Sequence, residues 1–201
     1  MPRPSRIDEQ RARLLPRVAE AFGRLGYRRA TTAELARRCK VRENILYRLW
    51  KDKREMFLAS LNSLFQRRQH ELEEAVRRSS GPGSRAHKML DHVARHYGEN
   101  SLARVIFAGL AETDDPEIRL HLARLYRDYR EFLEREIREH RKGGRRDVTP
   151  DVAASALALL GLGTILNVLE EVGAVPPGDR ETLFARAFGQ LGPLLLEGGR
   201  N

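Results

Sequence analysis

The chain reads as all-α. Three observations predict it. No stretch sustains the apolar–polar alternation of a half-buried strand, while apolar residues recur at helical spacing from end to end. The segment Thr31 to Lys53 reads as two short helices joined by a tight turn and followed by the start of another. The formal charge is confined to that end: residues 1–55 hold 16 Lys+Arg and 7 Asp+Glu, whereas the remaining 146 residues hold 21 of each. A solubilising surface spreads its charge, and a phosphate-binding surface concentrates it. The expected architecture is an N-terminal three-helix helix-turn-helix domain, residues 1–51, and a larger C-terminal helical domain, residues 52–201.

In the first helix Leu15, Val18, Ala19 and Phe22 follow i, i+3, i+4, i+7, and Gly26 ends it. Pro16 belongs to the first turn or kinks a helix that began near Arg6. Thr31 and Glu34 make a T-x-x-E capping box for a second helix that starts at Thr32, with Leu35, Ala36 and Cys39 inward. Lys40-Val41-Arg42 forms the turn. The third helix spans about Glu43 to Leu49, with Leu46 and Trp50 inward beside Val41.

After Asp52 and Glu55, a second capping pair, a long helix runs to about Arg78. SSGPGS at Ser79–Ser84 breaks it. Helices follow at about 85–98, 101–112 and 117–141, then the RKGGRRD loop. Thr149-Pro150-Asp151 opens a helix to about Val172 with Pro at an N1-like position, and after VPPG Asp179 caps a last helix to about Leu196.

The third helix carries the chemistry. Glu43, Asn44, Tyr47 and Arg48 share the face opposite its buried residues, the face suited to a major groove. Arg48 matches guanine O6 and N7, and Asn44 matches adenine. Glu43 either accepts from a cytosine amine or repels phosphate. Tyr47 suits a phosphate or an apolar base contact, and Ile45 at the margin a thymine methyl. The second helix offers its first N–H groups and the Thr32 hydroxyl to a phosphate, and Lys53 sits at the next helix start, where dipole and ammonium both favour phosphate. The alternative is an ordinary helical hairpin with a solvated charged face.

Phe22, Gly26, Thr31-Thr32, Leu35-Ala36, Val41, Leu46-Tyr47, Trp50 and Lys53 together resemble the TetR family of transcriptional regulators. The spacing Leu46-Tyr47-x-x-Trp50-x-x-Lys53 is the most specific part, and the motif covers about a quarter of the chain. The resemblance implies a homodimer with an N-terminal DNA-binding domain and a C-terminal domain that binds a small effector. It implies DNA contacts at Thr32, Arg42, Glu43, Asn44, Tyr47, Arg48 and Lys53. Two positions depart from the family pattern. Lys40 stands where members commonly carry Gly at a turn that needs φ > 0, so a strained or altered turn is expected. Arg42 replaces a small capping residue, so the third helix is expected to lack a side-chain cap.

Farther on, ASALALLGLGTILNVLEEVG and LFARAFGQLGPLLL are apolar around much of their circumference. They suit a two-fold interface of two helices from each subunit, or else the core of a monomer. The run Val152–Leu169 is broken by Gly161, Gly163, Thr164 and Asn167, and reads as a buried or partner-facing helix, not a membrane span. His96, Tyr97, Phe107, Tyr126 and Asn167 are the candidates for an effector pocket, with core packing the plainer role for each aromatic. His92 and His96 beside Asp91 have a spacing open to metal but common by chance, and no metal or cofactor is assigned.

The single cysteine, Cys39, excludes an internal disulfide framework and fits a reducing cytoplasm; the N-terminus lacks the apolar core of a signal peptide. There is no Gly-rich phosphate loop, H-E-x-x-H or nucleophile elbow, so no enzyme is expected. The expectation is a cytoplasmic, dimeric repressor on a near-palindromic double-stranded operator, released by a small molecule. The alternatives are a sequence-tolerant architectural DNA-binding protein and a helical ligand carrier.

Overall fold

A computed structural model describes residues 5–78, 84–95, 102–142, 151–176 and 179–197. Among them lie nine helices and no strand: α1 (Arg6–Arg29), α2 (Thr32–Cys39), α3 (Glu43–Leu49), α4 (Lys53–Arg78), α5 (Arg85–Arg95), α6 (Leu102–Leu110), α7 (Pro116–Lys142), α8 (Val152–Glu171) and α9 (Arg180–Glu197). The chain forms two compact units, one from Met1–Arg67 with Ser101–Leu125, the other from Arg68–Asn100 with Tyr126–Asn201.

In the first unit, α1 starts at a capping box. Ser5 Oγ accepts from the Asp8 N–H at 3.2 Å, and the Ser5 N–H donates back to Asp8 Oδ2 at 3.3 Å. The helix passes through Pro16, whose missing N–H leaves the Ala12 carbonyl without its intrahelical donor. Regular helix stops at Gly26, at φ 73° and ψ 167°, where a side chain would be strained. Leu14, at 2% exposure, lies deeper than the expected Leu15, because Leu14, Val18, Ala21 and Phe22 share the face toward the other helices.

The core joins Phe22, Leu35, Leu46, Trp50, Phe57 and Val105. The Phe57 ring stands edge-on to Phe22 and Tyr27, each at 5.0 Å between centroids. Gly109 gives α6 its close seat: a Cβ there would meet Leu122 Cδ1 at 3.2 Å and Phe57 Cζ at 3.3 Å. Arg28 pairs with Glu112 at 2.8 Å, and Arg54 with Asp115 at 3.1 Å, tying the turn after α6 to α1 and α4.

In the second unit α9 packs against α5 and α8. Ala86, Ile137, Ala156, Leu159 and Leu196 form one cluster. Arg141 holds the end of α9: Nε donates to the Leu196 carbonyl at 2.9 Å, and Nη2 to the Leu195 carbonyl at 3.2 Å and to Ser155 Oγ at 2.9 Å. A guanidinium there satisfies carbonyls that lack helical donors and opposes the negative end of the dipole.

Asp151 caps α8, its carboxylate accepting from the Ala153 N–H at 2.9 Å; Thr149 and Pro150 lie outside the described residues. At α9 the Asp179 carbonyl accepts the first helical bond, from the Leu183 N–H at 2.8 Å. By length and composition α8 is apolar enough to cross a membrane, with a mean hydropathy of 2.1. Within the unit it packs on α9, buries Ser155, and returns Thr164 Oγ and Asn167 Nδ2 to its own Leu160 and Gly163 carbonyls at 2.9 and 2.8 Å. Leu157 and Ile165 on α8, and Leu183, Leu191 and Leu194 on α9, stay exposed.

Candidate nucleic-acid interface

Thr31 caps α2, its Oγ1 accepting from the Glu34 N–H at 3.2 Å. The reciprocal half of the expected capping box does not form. The Thr31 N–H donates to the Arg29 carbonyl at 2.9 Å, and Glu34 is taken by Arg37 and Arg38, each within 2.7 Å of Oε1. Two guanidiniums outcompete one neutral amide for a carboxylate. The Arg37 hydrogen bond, with that of Arg38, holds the Glu34 carboxyl down at about 2.

The helix ends in a turn that Lys40 makes at φ 56°, ψ 43°. The Lys40 N–H donates to the Arg37 carbonyl at 3.1 Å and the Val41 N–H to the Ala36 carbonyl at 3.0 Å, the paired bonds of a Schellman end. Lys40 therefore keeps the left-handed turn and bears its strain, because both bonds and the inward seat of Val41 depend on it.

α3 starts with no side-chain cap at Arg42, as its residue type predicts. Leu46, Leu49 and Trp50 are buried, which turns Glu43, Asn44, Tyr47 and Arg48 to solvent. The Tyr47 hydroxyl lies 3.0 Å from Thr32 Oγ1, linking the start of α2 to the exposed face of α3. Arg48 Nη2 donates to Gln10 Oε1 at 2.8 Å, and Arg11 Nε to the Leu49 carbonyl at 2.6 Å.

The Asp52–Glu55 pair is also half formed. Asp52 Oδ1 accepts from the Glu55 N–H at 2.8 Å, while Glu55 Oε2 accepts from the Lys51 N–H at 2.5 Å in place of that of Asp52. Lys53, the first residue of α4, donates to the Tyr27 carbonyl at 3.1 Å and lies 4.4 Å from that ring's centroid. One of its three N–H groups is thus engaged. The seven expected contact residues all fall on α2, the turn, α3 and the start of α4.

This geometry is that of a known family. Residues 18–60 match the sequence model of bacterial regulatory proteins, tetR family. The chain carries a TetR-family N-terminal domain. No curated protein sequence matches it significantly. Solved structures share the TetR-like fold at low identity. A TetR-family transcriptional regulator from Cytophaga hutchinsonii is 14% identical, with 99% of this chain and 100% of that one aligned at a TM-score of 0.79. The transcriptional regulator FadR from Bacillus subtilis, solved with stearoyl-CoA, is 16% identical over 94% and 99% of the chains, with a TM-score of 0.72. The TetR-family regulator PfmR from Thermus thermophilus is 21% identical over 94% and 100%, with a TM-score of 0.66.

Sequence reasoning does not single out Gln10, Arg11 or Tyr27 as partners of the TetR-family helices. The available signal is the spacing Arg6, Gln10, Arg13, which puts three polar groups on one face of α1. Of the candidate effector residues, His96 and Tyr97 lie outside the described residues. Phe107 belongs to the first unit, and Tyr126 and Asn167 to the second. Burial pushes the Tyr126 phenol up from its ordinary value. Asn167 spends its amide on the Gly163 carbonyl. Among the described residues no cluster of three or more His, Cys, Asp or Glu side chains is arranged to hold a metal ion.

Proposed function

We propose that this chain is a dimeric repressor that reads a near-palindromic DNA site and releases it when a small molecule binds. The observation that carries the reading is the face of α3. Asn44, Tyr47 and Arg48 stand exposed beside the α2 start, with Tyr47 fixed to Thr32, while Leu46, Leu49 and Trp50 anchor the other side. Thr32, Arg42 and Lys53 supply phosphate contacts; Glu43, Asn44, Tyr47 and Arg48 face the groove.

Residues 1–51 act as the DNA-reading domain, and 52–201 as the effector-binding and dimerising one. Dimerisation through α8 and α9 is supported by Leu157, Ile165, Leu191 and Leu194, which are 47–61% exposed and apolar. A two-fold dimer presents two α3 helices about one DNA turn apart, roughly 34–36 Å. The effector acts in the second unit, with Tyr126 and Asn167 as proposed pocket residues, and shifts α4, which changes the spacing of the readers. A preference of a few kcal/mol between two states suffices. A long-chain acyl thioester is the first effector class to try, given the stearoyl-CoA complex of the B. subtilis protein. The protein works in the cytoplasm and has no catalytic step.

Selection from a randomised duplex pool near physiological salt tests this. The expected result is a two-fold site, bound by a dimer and released by the effector. Salt-sensitive binding without a motif would replace the reading with an architectural DNA-binding protein, and no binding even at low salt would remove DNA from the account.

A further inference from the structure

Arg6, Gln10 and Arg13 stand at i, i+4 and i+7 on α1. With Ile7, Glu9 and Arg48 they line an open cleft of about 720 Å³ beside α3. Arg48 reaches into it and donates from Nη2 to Gln10 Oε1 at 2.8 Å. One position along, Arg11 holds the Leu49 carbonyl at 2.6 Å, so α1 fixes the main chain at the end of α3 as well as the side chain before it.

An exposed arginine samples many rotamers, and ordering it on a base costs entropy at the moment of binding. An acceptor that holds the guanidinium beforehand reduces that cost. Gln10 occupies one of five N–H groups, which leaves a two-donor edge free for guanine O6 and N7. A neutral amide suits the task. A carboxylate in its place would bind the guanidinium more strongly and repel the phosphates. Glu9, on the same cleft, is the rival acceptor.

We infer that Gln10 is a positioning residue for base recognition: it aims Arg48 and thereby sets how sharply one half-site position is read, while Arg6 and Arg13 on the same α1 face neutralise flanking phosphates. The inference rests on the reading of α3 as the DNA-facing helix.

The experiment uses the full chain as wild type, Gln10→Ala, Gln10→Glu, Arg48→Ala and the Gln10→Ala/Arg48→Ala double variant. Each is titrated with the site recovered from a randomised pool and with its single-base variants, and each is melted. Gln10→Ala should cut discrimination about three- to tenfold at one position, the same position that Arg48→Ala erases, with no shift in melting. Gln10→Glu should act at that position and also weaken binding overall. In the Arg48→Ala background Gln10→Ala should add nothing, since the two act as one unit. A wild type that selects a site, paired with a Gln10→Ala variant that keeps its discrimination there or whose loss adds to that of Arg48→Ala, overturns the role of Gln10 alone. A wild type that selects no site overturns the reading of α3, and this inference with it.

Discussion

The Thr32 hydroxyl lies 3.0 Å from the Tyr47 hydroxyl and joins the first residue of α2 to the exposed face of α3. Both are surface side chains, so the bond contributes little to folding and much to where Tyr47 points. Tyr47→Phe should cost at most about 1 kcal/mol of stability and weaken DNA binding by about 1 kcal/mol, roughly fivefold. Urea unfolding and duplex titration measure the two terms. A large stability loss with unaltered DNA affinity would make the pair purely structural.

Lys40 carries the left-handed turn at a cost of about 1–2 kcal/mol for a residue with a Cβ. Glycine relieves that strain but gives up about 0.5–1 kcal/mol through its freer unfolded chain. Lys40→Gly should therefore stabilise the protein by about 0.5–1 kcal/mol, read as a higher denaturant midpoint at unchanged slope. A lower midpoint would mean that the lysine side chain makes a contact worth more than the strain.

Arg48 and Lys53 should fail differently. Arg48→Ala should remove about 1–3 kcal/mol of discrimination at one half-site position and leave the fold intact. Lys53→Ala should weaken every sequence alike and lower the salt slope by about one. It should also cost about 1 kcal/mol of stability, because the ammonium holds the Tyr27 carbonyl and ring. Equilibrium titrations across a salt series separate the two. A sequence-selective loss at Lys53 contradicts its phosphate role.

Cys39 is 1% exposed, and burial pushes its thiol up from the ordinary value. The native protein should resist thiol reagents near neutral pH and react once unfolded. A folded value above the unfolded one means that this contribution is complete below the ordinary thiol range and fades as pH rises through the folded value. Rapid labelling of the native chain would show that α2 opens locally.

Glu34 titrates in the opposite sense. Its folded value, about 2, lies below that of a free carboxyl. Its pairing with Arg37 and Arg38 should persist above the ordinary carboxylate range and be lost as pH falls toward 2. A carboxyl-carbon NMR titration follows it directly, and a midpoint in the ordinary range would mean that the arginines are not engaged in solution.

Chain order and local signals determine much of this molecule. Apolar spacing fixes which sides of α1, α2 and α3 are buried. Gly26 interrupts α1 because only a residue without a Cβ tolerates its backbone at no cost. The same spacing, read from its polar side, exposes Glu43, Asn44, Tyr47 and Arg48. These are local properties, and a sequence states them.

Where partners compete, charge decides among near neighbours and tertiary structure decides among distant ones. Glu34 is three residues from Thr31 and also within reach of Arg37 and Arg38, and charge settles the choice. Glu55 likewise finds the Lys51 N–H. Gln10 and Arg48 are 38 residues apart, and no local pattern announces that they meet. The first unit also gathers α6 and the start of α7 around Phe57, through the clearance that Gly109 leaves. A sequence names the donors and acceptors each side chain carries. Which of them pair across the chain, as Gln10 and Arg48 do, depends on distances set only when the helices pack.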